Sequence, residues 1–139
     1  MTAFLELGLA ESITRALIEE RYETPTPIQA QTIPHVLAGR DVVGIAQTGT
    51  GKTAAFALPI LNHLATHPRR PERKSCRILV LSPTRELSGQ IMDSFRTYGR
   101  HQKVTVSLAI GGVPLGRQVR ALSNGCDVLV ATPGRLLDL

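Results

Sequence analysis

Apolar positions along this chain follow two different periods. Residues 9–21 repeat at helical spacing, with Ile13, Ala16 and Leu17 on one face and Glu11, Arg15 and Glu19 on another. A proline-set connection follows, Tyr22-Glu23-Thr24-Pro25-Thr26-Pro27. Thr26 is placed to N-cap the next helix, and Pro27 suits its first turn. That helix is expected to reach about Leu37 and to stop at Gly39, with Pro34 as a candidate kink. Short continuous apolar runs at 42–45, 78–81, 104–108 and 128–130 read as buried strands. Helices are expected between them at 52–66, 85–98 and 115–122, and residues 67–74 form a polar, proline-bearing loop. Val/Ile/Leu strands separated by helices predict an α/β domain, a parallel sheet with helices on both faces. Ligands in such sheets bind at the C-terminal ends of the strands.

Composition narrows the picture. With 139 residues the chain is one domain at most, or part of one, and buries roughly two-thirds of its unfolded surface. Hydrophobic residues are 42% and charged residues 19%, which is globular rather than disordered. Trp is absent and aromatics are 4%, so the core must be built from Leu, Ile, Val and Ala. The net charge of +5 is compatible with a polyanionic partner but weak evidence alone. Cys76 and Cys126 read as two reduced, buried thiols rather than a disulfide framework or zinc site. No signal peptide and no apolar run near the ~20 residues of a membrane helix is visible, so a cytoplasmic location is expected.

The strongest local signal is Ala46-Gln47-Thr48-Gly49-Thr50-Gly51-Lys52-Thr53. It lies between an expected strand and an expected helix, the context a phosphate-binding loop needs. Gly49 and Gly51 permit torsions that a β-carbon forbids, so that backbone N–H groups can wrap phosphates at a helix N-terminus. Lys52 would reach the β/γ-phosphates and the Thr53 hydroxyl would hold Mg²⁺. The usual pattern begins with Gly where Ala46 stands here. A plain glycine-rich turn without a ligand is the bland alternative.

The other strand ends carry Ser82-Pro83-Thr84-Arg85-Glu86-Leu87, Ala109-Ile110-Gly111-Gly112 and Ala131-Thr132-Pro133-Gly134-Arg135. Two of them combine Pro, Thr and Arg, and helix N-termini, hydroxyls and guanidinium groups are what holds a nucleic-acid backbone. Singly, Thr84 and Thr132 could be helix caps, and Pro83 and Pro133 could merely shape turns. No aromatic sits in these loops, so a bound nucleic acid would be held by its phosphates without sequence preference. The pair Glu19-Glu20 reads as solvated surface, and so does the basic stretch 69–74.

Thr24-Pro25-Thr26-Pro27-Ile28-Gln29, residues 46–53, Pro83-Thr84-Arg85-Glu86-Leu87, Gly111-Gly112 and Thr132-Pro133-Gly134-Arg135 together resemble the ordered motifs of DEAD-box RNA helicases, with a bacterial, RhlE-like flavour. The resemblance implies the N-terminal part of a first RecA-like domain over residues 1–139. Its Q motif would span 4–30, motif I 46–53, motif Ia 83–87, the GG element 111–112 and motif Ib 132–135. It implies ATP with Mg²⁺ as cofactor and RNA as partner. Gln29 would read the adenine edge, an amide being able to donate and accept at once. Tyr22 would lie near the adenine and Phe4 matches the isolated upstream aromatic, though packing of the first helix explains both equally. Arg21 stands where the family usually has Gly. Arg85 and Arg135 would hold RNA phosphates, with Thr84, Thr132 and the glycine N–H groups.

No Asp-Glu-Ala-Asp occurs before Leu139, and no other acid pair in an apolar context replaces it. The expectation is therefore a piece of a longer helicase that does not hydrolyse ATP by itself. It would rearrange its strand order, dimerise through an exposed sheet edge, or be marginally stable. Two other classes compete: a non-catalytic module that binds RNA or a partner, and a small P-loop kinase, for which no arginine-rich lid is visible.

Overall fold

In the computed structural model of the chain, residues 4–43, 51–112 and 114–138 are described. They divide into two compact units, Met1–Pro68 with Thr97–Lys103, and Arg69–Arg96 with Val104–Leu139.

The first unit opens with a single 3-10 turn at Phe4–Glu6, then α1 (Glu11–Glu19), α2 (Pro27–Leu37) and α3 (Lys52–Thr66). The apolar face of α1, Ile13, Ala16 and Leu17, is buried as its spacing predicts. Helices α2 and α3 pack together, and Ile33 of α2 and Ala54, Ala55, Leu58 and Leu61 of α3 are buried. Asn62 Oδ1 accepts from the Ala10 backbone at 2.8 Å, tying the start of α1 to α3. Both α1 and α2 end in the same two-bond cap. In α1, Arg21 N–H donates to Ile18 and Tyr22 N–H to Leu17; in α2, Gly39 N–H donates to Val36 and Arg40 N–H to His35. That cap needs a left-handed residue, which is Gly39 (φ 81°) in α2 and Arg21 (φ 61°) in α1. The position where the resemblance implies Gly is thus one that a side chain occupies under strain.

The second unit holds β1 (Cys76–Leu81), the body of α4 (Arg85–Tyr98), β2 (Val106–Ala109), α5 (Leu115–Leu122), β3 (Cys126–Ala131) and α6 (Pro133–Asp138). The three strands are parallel in the order β1-β3-β2. Strand β3 is central and buried throughout, while β1 lies at an edge and leaves Leu79 47% and Leu81 56% exposed. Helix α4 buries Ser88, Ile91, Met92 and Phe95, a stripe at helical spacing. Cys76 and Cys126 are register partners across β1 and β3, both free. Burial pushes the Cys76 thiol up and that of Cys126 to about 11, so both stay protonated at neutral pH.

Two expectations are corrected. Asp41, Val42 and Val43 carry no strand, and Val43 is 91% exposed, because nothing among the described residues pairs with them. Gly44 and Ile45, the rest of that expected strand, lie outside the described residues, so the sheet described has three strands. Strand β2 starts at Val106 rather than 104, because the Thr105 N–H is taken by Asp127 Oδ2 at 3.0 Å and leaves the ladder there. After Thr132, Pro133, Gly134 and Arg135 form the first turn of α6, a helix N-terminus at that strand end.

Candidate nucleotide and nucleic-acid sites

The first unit gathers the expected adenine residues around one cavity of about 270 Å³, whose lining includes Phe4, Tyr22, Thr26, Gln29, Gly51 and Tyr98. Gln29 is 6% exposed and held at both ends. Its Oε1 accepts from Thr26 N–H at 3.0 Å, and its Nε2 donates to the Gly51 carbonyl at 3.2 Å. The first bond is one half of a capping box at the start of α2. Thr26 Oγ1 sits over the same turn but closes no full hydrogen bond and is left buried without a partner. Gly51 caps α3 in the left-handed conformation (φ 85°), and a β-carbon there would overlap the Gln29 amide. Glycine is therefore required twice, by torsion and by the close approach of Gln29.

Lys52 and Thr53 follow as the first two residues of α3, Lys52 exposed and Thr53 half-buried. Lys52 also lines a second cavity of about 430 Å³ with Thr32, Arg40 and Asp41. Ala46, Gln47, Thr48, Gly49 and Thr50 lie outside the described residues. Among the described residues no cluster of three or more His, Cys, Asp or Glu side chains is present.

Tyr22 is 46% exposed, and its ring lies 6.3 Å from that of Tyr98, tilted by 50°. Tyr98, 76 residues away in sequence, escaped the sequence reading because nothing local marks it. Glu19 and Glu20, read as solvated surface, lie at the surface and are paired there: Glu19 with His101, and Glu20 with Arg100. The His101 hydrogen bond and the nearby positive charges lower the Glu19 carboxyl below its usual range.

In the second unit the parallel order brings three strand ends to one edge. Ser82 N–H donates to Ala131 O at 2.9 Å, and Thr132 N–H to Ala109 O at 3.0 Å, so the loops leave the sheet side by side. Pro83, Thr84 and Arg85 are exposed, as are Gly112, Pro133 and Gly134, while Gly111, Thr132 and Arg135 are half-buried. Thr84 is a helix cap: its Oγ1 accepts from Leu87 N–H at 3.1 Å. Thr132 turns its hydroxyl back toward Ala109 O at 3.5 Å. The Arg85 guanidinium lies over Gly112 (φ 83°), close enough that a β-carbon at Gly112 would overlap it. The loops that follow β1 and β2 thus meet in one place.

Gln118 was missed by the sequence reading. It is the buried residue of α5, and its Nε2 donates to the Ile110 carbonyl at 2.9 Å, bracing the Gly111-Gly112 turn. A polar residue on the inner face of an amphipathic helix was the available signal.

A parallel sheet with helices around it, whose strand-end loops leave side by side, defines a RecA-like α/β protein. The comparisons agree. The family model described as DEAD/DEAH box helicase matches residues 26–139, and the chain belongs to that family. It is 46% identical over 138 residues to the DEAD-box ATP-dependent RNA helicase CshA of Bacillus cereus, covering 99% of this chain and 25% of the relative. It is 50% identical over 138 residues to the ATP-dependent RNA helicase DeaD of Escherichia coli, covering 99% and 21% respectively. Among solved structures it resembles the yeast DEAD-box splicing factor Prp28 with a TM-score of 0.88 and 38% identity, covering 99% of this chain and 34% of that one. The chain therefore spans about a fifth to a quarter of the length of these curated relatives. Among the described residues no helix is long and apolar enough to cross a membrane.

Proposed function

We propose that this chain supplies the ATP- and RNA-binding part of a cytoplasmic ATP-dependent RNA helicase, in which ATP drives local opening of RNA duplexes. The observation that carries the reading is the Gln29 amide, fixed by Thr26 and Gly51 beside an aromatic-lined cavity at the foot of α3. An amide that gives one N–H to Gly51 keeps a second, and an oxygen that accepts from Thr26 keeps a second lone pair. Those two free valences match the N6/N7 edge of adenine and mismatch guanine. The donor set fits ATP: Tyr22 beside the base, Gly51 and the α3 N-terminus toward the phosphates, Lys52 as their counter-charge. Thr53 would hold Mg²⁺ together with phosphate oxygens, the kind of shared site that ion favours.

RNA is held in this reading by its backbone. Arg85 and Arg135 supply charge, with Thr84, Thr132, Pro83, Pro133 and the glycines Gly111, Gly112 and Gly134 shaping the surface. Residues 1–139 alone would also self-associate through the β1 edge, where Leu79 and Leu81 are exposed.

The test is nucleotide titration of the wild-type chain, Gln29→Ala and Lys52→Ala. Gln29→Ala weakens ATP binding more than GTP binding. Lys52→Ala lowers binding by ~1.5–3 kcal/mol, the loss of one charge-assisted bond. Equal wild-type affinity for ATP and GTP removes the role of Gln29, and a Lys52→Ala protein that binds as wild type removes the phosphate site.

A further inference from the structure

We propose that Tyr98, outside every motif of the chain, is a positioning residue of the base pocket: it is the fixed wall that holds the half-exposed Tyr22 ring in place for the nucleobase. The inference rests on the reading of that cavity as the adenine site.

Four observations converge. Tyr98 lines the same cavity of about 270 Å³ as Tyr22, Gln29 and Gly51. Its ring meets that of Tyr22 at 6.3 Å and 50°, within the range where tilted aromatic pairs attract. Tyr22 is 46% exposed and stands just after the strained Arg21 turn, so one side of its ring is open to solvent. The segment that carries Tyr98 is pinned to the unit from several directions. Arg100 pairs with Glu20 and lies 3.9 Å from Glu19, and His101 pairs with Glu19. Gln102 Nε2 donates to Leu61 O on α3 at 3.1 Å, and Ser12 Oγ donates to Gln102 Oε1 at 3.5 Å. A ring on a segment anchored to both α1 and α3 does not need to be ordered when the ligand arrives. A lone half-exposed tyrosine does, and that ordering entropy is subtracted from affinity.

The pairing also divides labour within the pocket. Gln29 reads hydrogen bonds, and the two tyrosines supply a stacking surface that is indifferent to base identity. Loss of Tyr98 should therefore weaken all base-bearing nucleotides and leave phosphate-only ligands untouched.

The experiment measures binding of ATP and of inorganic triphosphate to the wild-type chain, Tyr98→Ala, Tyr98→Leu and Tyr98→Phe, each checked for a native circular-dichroism spectrum. The expected result is a roughly three- to tenfold loss of ATP affinity in Tyr98→Ala and Tyr98→Leu, the worth of one aromatic pair. Triphosphate binding stays within about twofold in all four proteins, and Tyr98→Phe, which keeps the ring, restores ATP affinity. Tyr98→Leu keeps apolar volume, so it reports on the ring if Tyr98→Ala does not fold. ATP affinity unchanged in the folded variants overturns the inference. So does an equal loss of ATP and triphosphate, which marks general damage, or a Tyr98→Phe protein that fails to recover. A wild-type chain that binds triphosphate but gains nothing from the base overturns the adenine reading itself, and the inference with it.

Discussion

The amide nitrogen of Gln29 donates to the carbonyl of Gly51 at 3.2 Å, and this one bond joins the start of α2 to the start of α3. Gln29 is 22 residues from Gly51, and both ends of its amide are engaged. The Gln29 side chain and the Gly51 backbone are thereby set in one geometry before any ligand binds. Pre-organisation of this kind lowers the entropy lost on binding.

Gly51→Ala should therefore cost more than an ordinary left-handed glycine replacement. Gly39 is the internal control, because it has the same torsion but open space for a β-carbon. Gly39→Ala is expected to lose about 1 kcal/mol of stability, the torsional cost alone. Gly51→Ala should lose more than that and also weaken ATP binding, since the β-carbon drives Gln29 from its place. Urea denaturation and nucleotide titration of the two variants side by side check this; equal losses with unchanged ATP affinity would sink the argument.

Arg21→Gly should stabilise the protein. A non-glycine residue at φ 61° pays a steric cost of roughly 1–2 kcal/mol, offset in part by the greater unfolded-state freedom of glycine. A net gain of about 0.5–1 kcal/mol is expected from urea melts. No gain, or a loss, would mean that the arginine side chain contributes more than its torsion costs.

Arg85→Ala and Arg135→Ala should weaken RNA binding to a similar degree for unrelated sequences. Each should flatten the slope of log affinity against log salt by roughly 0.7 for every single-strand phosphate that the protein no longer neutralises. Gly112→Ala should reproduce part of the Arg85→Ala effect, because it displaces the guanidinium that lies over it. Filter binding across a salt series separates these outcomes; strong sequence preference, or a slope that neither arginine changes, would count against phosphate-directed binding.

The hydroxyl of Tyr98 should titrate late. Burial, with Tyr22 and Glu20 nearby, pushes it up to about 12. The folded state then holds its proton where the unfolded chain, near 10, has released it. Stability is intact below about pH 10 and falls as pH climbs toward 12. With no Trp and two Tyr in the chain, tyrosinate absorbance follows the event directly. Tyr98→Phe should remove the late phase and flatten that part of the stability profile.

Much of this was legible in the sequence because it is local. Thr26-Pro27 and Gly39 punctuate α2, and the bounds expected for α3, α4 and α5 agree with those found. What escaped depends on residues far apart in the chain. Glu19 lies 82 residues from His101, and Tyr22 76 from Tyr98, and no periodicity links them. Asp127 looked like an ordinary strand residue, yet its carboxylate accepts from both the backbone and the hydroxyl of Thr105 and delays the start of β2. Gln29, Gly51 and Arg85 stand in motifs that the sequence displays, whereas Tyr98 and Gln118 carry no motif at all.

The first unit is discontinuous: its last piece, Thr97–Lys103, is made only after the whole of Arg69–Arg96. During synthesis at about 5–20 residues per second, that interval of about 30 residues corresponds to roughly 1.5–6 s. Throughout it the nascent α1–α3 unit lacks Tyr98, and the carboxylates of Glu19 and Glu20 await their cations. The cavity lined by Tyr22, Gln29 and Tyr98 is therefore a late product of translation, closed by a segment that arrives after the helices it completes.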